Sequence, residues 1–382
     1  MEYRKLGRTG FKVSAIGLGC EGFTGKSASE VCAEFDFADD LGINFFDCYS
    51  SDPILRSNFG DAIRHRRKKF IIQGHICTFW ENDQYLRTRD MSKTRTGFED
   101  LLRRMHTDYI DIGMIHYIDA EEDLQNIFSG PVIEYAQQLK QDGRIGAIGI
   151  SSHNPRVAIK AVQTGIVDVL MFAVNPCYDL QPAGEDVEQL WADENYEHAL
   201  INIDKERELL YELCAANGVG IDVMKAYGGG DLLDAQNSPF GKAFTPVQCL
   251  EYALSRPAVA SVMAGCRGTG QIAAAAAWCS ASKQDKDFSQ VLHGLERFTW
   301  HGHCMYCGHC APCPKGINVA SVTKFLNLAR AQLNIPETVR EHYKVLGHHA
   351  SECVSCGVCE SRCPFGVAIR KNMQDAANLF GL

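Results

Sequence analysis

Ile16-Gly17-Leu18-Gly19-Cys20-Glu21-Gly22 carries a Gly-x-Gly-x-x-Gly spacing, and the fold turns on what surrounds it. That spacing opens the first strand–helix turn of doubly wound, dinucleotide-binding sheets. Outward from it, short apolar runs recur at Ala15–Gly19, Asn44–Cys48, Phe70–His75, Tyr109–Tyr117, Ala147–Ser151, Val169–Asn175, Gly220–Ala226 and Ser261–Cys266. They are nearly continuous rather than alternating, as expected of strands covered on both faces. Helical period lies between them. Val31, Phe35 and Ala38 share one face, as do Phe98, Leu101, Leu102 and Met105, and Val132, Ile133, Ala136 and Leu139. Eight strand–helix units in about 280 residues make a (β/α)8 TIM barrel of ordinary size. The glycine run is then an isolated match by spacing. The prediction is α/β, with a barrel over residues 1–290 followed by a small, mostly helical domain over 291–382.

The chain has 382 residues, of which 46% are apolar and 22% charged, an ordinary globular composition. It has 38 basic and 47 acidic residues, a net charge of −9, which argues against general nucleic-acid binding. No run approaches the ~18 apolar residues that span a bilayer. The start, Met1-Glu2-Tyr3-Arg4-Lys5-Leu6-Gly7, has no apolar signal region, so a cytoplasmic protein without membrane attachment is expected. The basic run Arg64–Lys69 reads as a solvated helix end. The acidic stretch at 180–202, with Glu185, Asp186, Glu188, Asp193, Glu194 and Glu197, reads as a solvated loop, or as a lid or docking surface.

Cysteine is the outlier, at 17 residues. The count is odd, the chain is long, and clustered thiols without a secretory signal suggest metal rather than disulfides. Cys304-x2-Cys307-x2-Cys310-x2-Cys313-Pro314 precedes Cys353-x2-Cys356-x2-Cys359-x3-Cys363-Pro364, with a helical pair expected at 318–332 and 337–347. The second run has the spacing of bacterial ferredoxins, in which the thiolate before proline ligates the other cluster. On that logic Cys304, Cys307, Cys310 and Cys363 hold one [4Fe–4S] cluster. Cys353, Cys356, Cys359 and Cys313 hold the second. Zinc sites would instead use separated Cys-x2-Cys pairs. His301, His303 and His309 flank the first run but are not needed as ligands. Cys20, Cys48, Cys77, Cys177 and Cys266 end strands and are expected to be small buried apolar groups.

Four stretches of the barrel resemble the aldo-keto reductase superfamily. They are Tyr3–Gly10, Gly42-Ile43-Asn44-Phe45-Phe46-Asp47, Asp108–His116 and Gly143–Ser151. The tail resembles the dicluster ferredoxin domain fused to a bacterial branch of it. The resemblance implies nicotinamide binding at the C-terminal mouth of the barrel and an active site of Asp, Tyr, Lys and His. Asp47 matches the Asp and His116 the His. The Tyr position is occupied by Asp52, and the Lys position by His75. Tyr49 or His75 is therefore expected as the proton source. Asp47, His75 and His116 also compose a facial-triad type of metal set, the alternative for these three residues. By the same resemblance Ser151 and Asn175 would hold the carboxamide. Lys225 would lie near phosphate, and Gly265, Arg267 and Gln271 would grip the adenosine phosphate.

The function implied is an iron–sulfur oxidoreductase reducing a small carbonyl compound or activated alkene. Electrons would come from NAD(P)H or through the two clusters, delivered by a redox partner protein. A flavin is a candidate go-between, because clusters pass single electrons and nicotinamide a hydride. The alternative is a non-catalytic electron-transfer or assembly subunit with a degenerate barrel.

Overall fold

The computed structural model describes residues 1–181, 184, 200–293, 298–299, 302, 304, 310–330, 335 and 337–382. Eight parallel strands close into a barrel. They are β1 (Ile16–Gly19), β2 (Phe45–Cys48), β3 (Ile71–Ile76), β4 (Ile110–Ile115), β5 (Ile145–Ser152), β6 (Val169–Ala173), β7 (Gly220–Met224) and β8 (Val259–Ala264). Their order around the barrel is their order in the chain, and β8 closes on β1 through Val262–Ile16, Met263–Gly17 and Ala264–Leu18. Each apolar run singled out in the sequence is one of these strands.

The outer helices are α1 (Ala28–Asp40), α2 (Pro53–Ile63), α3 (Met91–Arg104), α4 (Pro131–Gln141), α5 (Pro155–Gln163), α6 (Lys205–Ala216), α7 (Pro246–Leu254) and α8 (Thr269–Ala276). Three of them start from a cap–proline pair: Asp52-Pro53, Asn154-Pro155 and Thr245-Pro246. The cap side chain satisfies free N–H groups of the first turn, and proline lacks the N–H that would otherwise be orphaned there. Gly22 explains the misleading glycine spacing. A Cβ on it would stand 1.8 Å from the Cys266 carbonyl oxygen, so glycine is required where the end of β1 passes the end of β8.

Leu6 and Val13, flanking and within the N-terminal hairpin Tyr3–Lys5/Lys12–Ser14, pack with Phe45, Ile112, Met171 and Met263 inside the barrel. That apolar plug fills the interior from the N-terminal end. The polar residues Asp47, Gln73 and His75 are buried on the neighbouring strands β2 and β3. An unanticipated antiparallel hairpin, Thr78–Glu81/Gln84–Arg87, fills the connection from β3 to α3. Its turn residues Asn82 and Asp83 have φ of 53° and 56°, the left-handed pair that a tight two-residue hairpin needs.

The tail folds into α9 (Val319–Arg330), α10 (Glu337–Lys344) and α11 (Ile369–Phe380). The first two correspond to the expected pair. The third was not anticipated, and buries Ile369, Met373 and Ala376. Asn327 on α9 donates to Glu208 on α6 at 3.4 Å, joining the tail to the barrel's outer layer. The basic run departs from its expectation at Arg67. That side chain is buried, pairs with Asp111 at 2.7 Å and lies over the Tyr109 ring. Glu185, Asp186, Glu188, Asp193, Glu194, Glu197, His301, His303, Cys307 and His309 lie outside the described residues. Among the described residues no helix is long and apolar enough to cross a membrane.

Candidate active site and cluster module

Asp47 is the last but one residue of β2, His75 lies near the end of β3, and His116 follows β4. Parallel neighbours bring all three to one end of the barrel, the end where barrel chemistry sits. They form a line. His75 Nε2 is 3.0 Å from Asp47 Oδ1, and His75 Nδ1 is 2.6 Å from His116 Nδ1. Both ring nitrogens of His75 are thus engaged, and its side chain is 1% exposed. It cannot itself touch a substrate. His116 is the outer member, and no hydrogen bond to its Nε2 occurs among the described residues.

Two facing nitrogens at 2.6 Å require that one carry hydrogen and the other not. Burial, then His75, then Arg89 and Arg87 hold the His116 imidazole well below its ordinary value. The arginines are fixed: Arg89 donates to the His116 carbonyl at 2.9 Å and clamps Asp123 together with Arg87. Because the three site residues hydrogen-bond to one another in series, they do not converge on a common point. That serial geometry, with both His75 nitrogens already engaged, speaks against the facial-triad alternative.

Aromatic rings surround His116. The Tyr49 ring is parallel to it with centroids 6.1 Å apart, and Tyr85 and Tyr117 meet it edge-on at 5.6 and 5.2 Å. Burial pushes the Tyr49 and Tyr85 phenols up, so both stay neutral donors. Tyr49 therefore stands beside His116 as a neutral hydroxyl. The Asp52 carboxylate is committed to a helix cap. Its Oδ1 accepts from the N–H groups of Ile54 and Leu55 at 2.8 and 3.3 Å, capping α2. Tyr85 and Gln73 were missed in the sequence. An Asn-Asp pair between alternating residues was the available sign of the hairpin that delivers Tyr85.

The expected nicotinamide positions lie at the strand ends from β5 to β8. Ser151 Oγ is buried with no hydrogen-bond partner among the described residues, so a ligand group there would satisfy it. Asn175 is committed to the backbone. Its oxygen accepts from the N–H groups of Cys177 and Tyr178 at 2.9 Å, and its nitrogen donates to the Lys225 carbonyl at 2.9 Å. Burial lowers the Lys225 ammonium to about 8, opposed by Asp119 and Glu21. Beyond it Gly228, Gly229 and Gly230 have φ of 58°, 73° and 111°, a conformation open to glycine, and the Gly228 and Gly230 N–H groups donate back to the Lys225 and Tyr227 carbonyls at 2.9 and 3.0 Å. Gly265, Arg267 and Gln271 are exposed where β8 leads into α8, and Gln271 accepts from the Arg267 N–H at 2.7 Å. Cys20, Cys48, Cys77, Cys177 and Cys266 are all buried.

In the tail, Cys313, Cys353, Cys356 and Cys359 line one hollow, with Ile317, Val319 and Met373 among its apolar walls. One residue from the first run thus meets three from the second. Two of these sulfurs accept backbone hydrogen bonds, from Lys315 to Cys313 and from Ser355 to Cys353, both at 3.4 Å. Four thiolates around an apolar, N–H-lined hollow fit a [4Fe–4S] cubane. Cys304, Cys310 and Cys363 are half-buried nearby in sequence order, and Gly302 donates to the Phe365 carbonyl at 2.6 Å, joining the start of the first run to the end of the second.

A closed (β/α)8 barrel with an acid–imidazole line at its C-terminal mouth, followed by a paired four-cysteine module, defines an iron–sulfur oxidoreductase. Residues 15–248 match the aldo/keto reductase family and residues 302–368 a 4Fe-4S dicluster domain. The chain belongs to the aldo/keto reductase family. It is 29% identical to Bacillus subtilis "Uncharacterized oxidoreductase YqkF" over 285 residues, covering 69% of this chain and 87% of that one. It is 28% identical to L-galactose dehydrogenase of Arabidopsis thaliana over 183 residues, covering 45% of this chain and 56% of that one. The holo form of the aldo-keto reductase AKR11C1 from Bacillus halodurans superposes with a TM-score of 0.59 at 22% identity. It covers 75% of this chain and 94% of that structure, a likeness of fold. The flavin expected as a go-between finds no support in either family match.

Proposed function

We propose that the chain reduces a small organic carbonyl compound or activated alkene at the barrel mouth, with His116 as the proton donor. The observation that carries this is the unbroken line from Asp47 through His75 to His116. In its protonated state the His75 Nε2–H donates to Asp47 and the Nδ1–H to His116 Nδ1, which leaves His116 Nε2–H facing out. As negative charge develops on the substrate, His116 gives up the Nε2 proton and takes the His75 proton on Nδ1. Both imidazoles end neutral, and His75 keeps its hydrogen to Asp47. The depressed basicity of His116 favours that release. Tyr49, Tyr85 and Tyr117 shape the pocket and offer neutral hydroxyls.

A bound nicotinamide would supply hydride and the cubanes single electrons. Ser151, Asn175, Lys225, Gly265, Arg267 and Gln271 are the positions we assign to NAD(P)H, with Asn175 acting through the loop it folds. Cys304, Cys307, Cys310 and Cys363 are assigned to one cluster, and Cys313, Cys353, Cys356 and Cys359 to the other. The barrel takes residues 1–290 and the cluster module 291–382. The setting is cytoplasmic, and a redox partner protein would approach the exposed Cys356 edge.

Anaerobically purified full-length protein tests this reading. About eight iron and eight labile sulfide per chain, with saturable NADH or NADPH binding, are expected. Clusters with no nicotinamide binding, and no reduction of any compound in a panel of aldehydes, ketones and enones by either nicotinamide or a viologen reductant, would instead make it an electron-transfer subunit.

A further inference from the structure

The relay does not end at Asp47. The Gln73 amide nitrogen is 2.9 Å from Asp47 Oδ1 and 3.1 Å from Asp222 Oδ2. An amide nitrogen carries two hydrogens, and here each goes to a different carboxyl group. Those two oxygens therefore lie within about 6 Å of each other. Asp222 is on β7, fully buried, level with Met171 on β6 and Ser261 on β8. The charged group that bears on it is Asp47, and no ion pair to Asp222 occurs among the described residues. Asp222 Oδ1 and Gln73 Oε1 are both buried with no hydrogen-bond partner among those residues.

Two carboxyl groups bound to one nitrogen, away from water and without a cation between them, do not both ionise. Asp47 has the stronger claim to the charge, because its Oδ1 accepts from His75 as well as from Gln73. Asp222 has one donor from another residue, the Gln73 amide. Burial first, and the Asp47 charge second, push its carboxyl well above the ordinary range.

We propose that Asp222 is a positioning residue of the relay: it holds a proton, and as a neutral acid it orients the Gln73 amide so that Asp47 remains the one charge at the centre of the barrel. This rests on the assignment of His75 and His116 as the proton-carrying pair. The charged and titratable groups facing that pair are Asp47, Arg87, Arg89 and His153, with the Tyr49, Tyr85 and Tyr117 rings around them. A second charge at Asp222 would make the pair hold its proton more tightly and weaken His116 as an acid. Without Asp222 the Gln73 amide is free to turn, Asp47 loses a donor, and the pair again becomes more basic.

Two measurements on the full-length protein test the proposal. Near neutral pH the infrared spectrum should contain a carboxylic-acid C=O stretch that moves on isotopic labelling of aspartate and is missing in Asp222→Asn. Identical spectra for wild type and Asp222→Asn overturn the proposal. In carbon-13 histidine-labelled protein, the titration midpoint of the His75–His116 pair should stay in place in Asp222→Asn, which is neutral and of the same shape. It should rise by about one pH unit in Asp222→Leu, the value of one lost hydrogen bond to a charged group. An Asn variant that shifts as far as the Leu variant, or a folded Leu variant that does not shift, also overturns it. Should the Leu variant fail to fold, the infrared result with Asp222→Asn decides. The relay reading fails separately: histidine titrations unmoved by Asp47→Asn would remove the relay while leaving the Asp222 band.

Discussion

His116 is a weak base on purpose of its place: it is buried, faces His75, and sits within reach of the arginines that tie down the loop after β3. That has a consequence for stability. Its folded-state value lies below the ordinary 6.5, so the unfolded chain binds the proton first. The stability this group contributes is complete above about pH 6.5 and drains away as the pH falls below it. His116→Gln, neutral throughout, should therefore lose less stability than wild type on acidification from about pH 7 to pH 5, measured by thermal melts. The same variant should lose about 10²–10⁴ in turnover if His116 is the general acid. Turnover that survives intact would move the acid elsewhere, and a melt difference independent of pH would show that the imidazole is not buried neutral. Gln73 and Asp222 belong to the same chemistry, yet neither stood out in the sequence. Each is one polar residue inside an apolar strand, and only the closure of the barrel brings β3 and β7 face to face across its interior.

At the level of elements, the strands were legible because a parallel barrel buries both faces of each, which leaves unbroken apolar runs. The site's Asp47 and His116 were legible through the motifs around them, and His75 through its place on a strand. The hairpin Thr78–Arg87 was not, since its alternation is short and its turn is Asn-Asp rather than the commoner Asn-Gly. Asp52 is the instructive case. Its position in the chain matches a catalytic tyrosine, but in Asp52-Pro53 the carboxylate is a helix cap. Asp52→Ala should cost about 1 kcal/mol, read as a lower urea midpoint, and leave turnover intact. Asp52→Tyr should show the same loss of stability without a gain in carbonyl reduction. A gain would mean that the residue reaches the mouth after all.

Over the whole molecule, the two cysteine runs are useful only together. The second run's three closely spaced cysteines share their cavity with Cys313, which belongs to the first run and lies on the far side of α9 and α10. A cluster held there ties the two ends of that helical pair, so ligation and folding of the module are linked. The first run is one residue shorter before its last cysteine than the second, so spacing alone does not fix this exchange. The cavity favours it. Cys313→Ala should then damage the same cluster as Cys353→Ala, although the two belong to different runs, and Cys363→Ala should damage the other. Each variant should retain about four of eight iron. Electron paramagnetic resonance of the reduced, anaerobic proteins distinguishes the clusters, because each loses its own signal. Cys313→Ala and Cys353→Ala should leave the same remaining spectrum, complementary to that of Cys363→Ala. If Cys313→Ala instead matches Cys363→Ala, each run holds its own cluster, and α9 and α10 connect two independent sites rather than being clasped between shared ones.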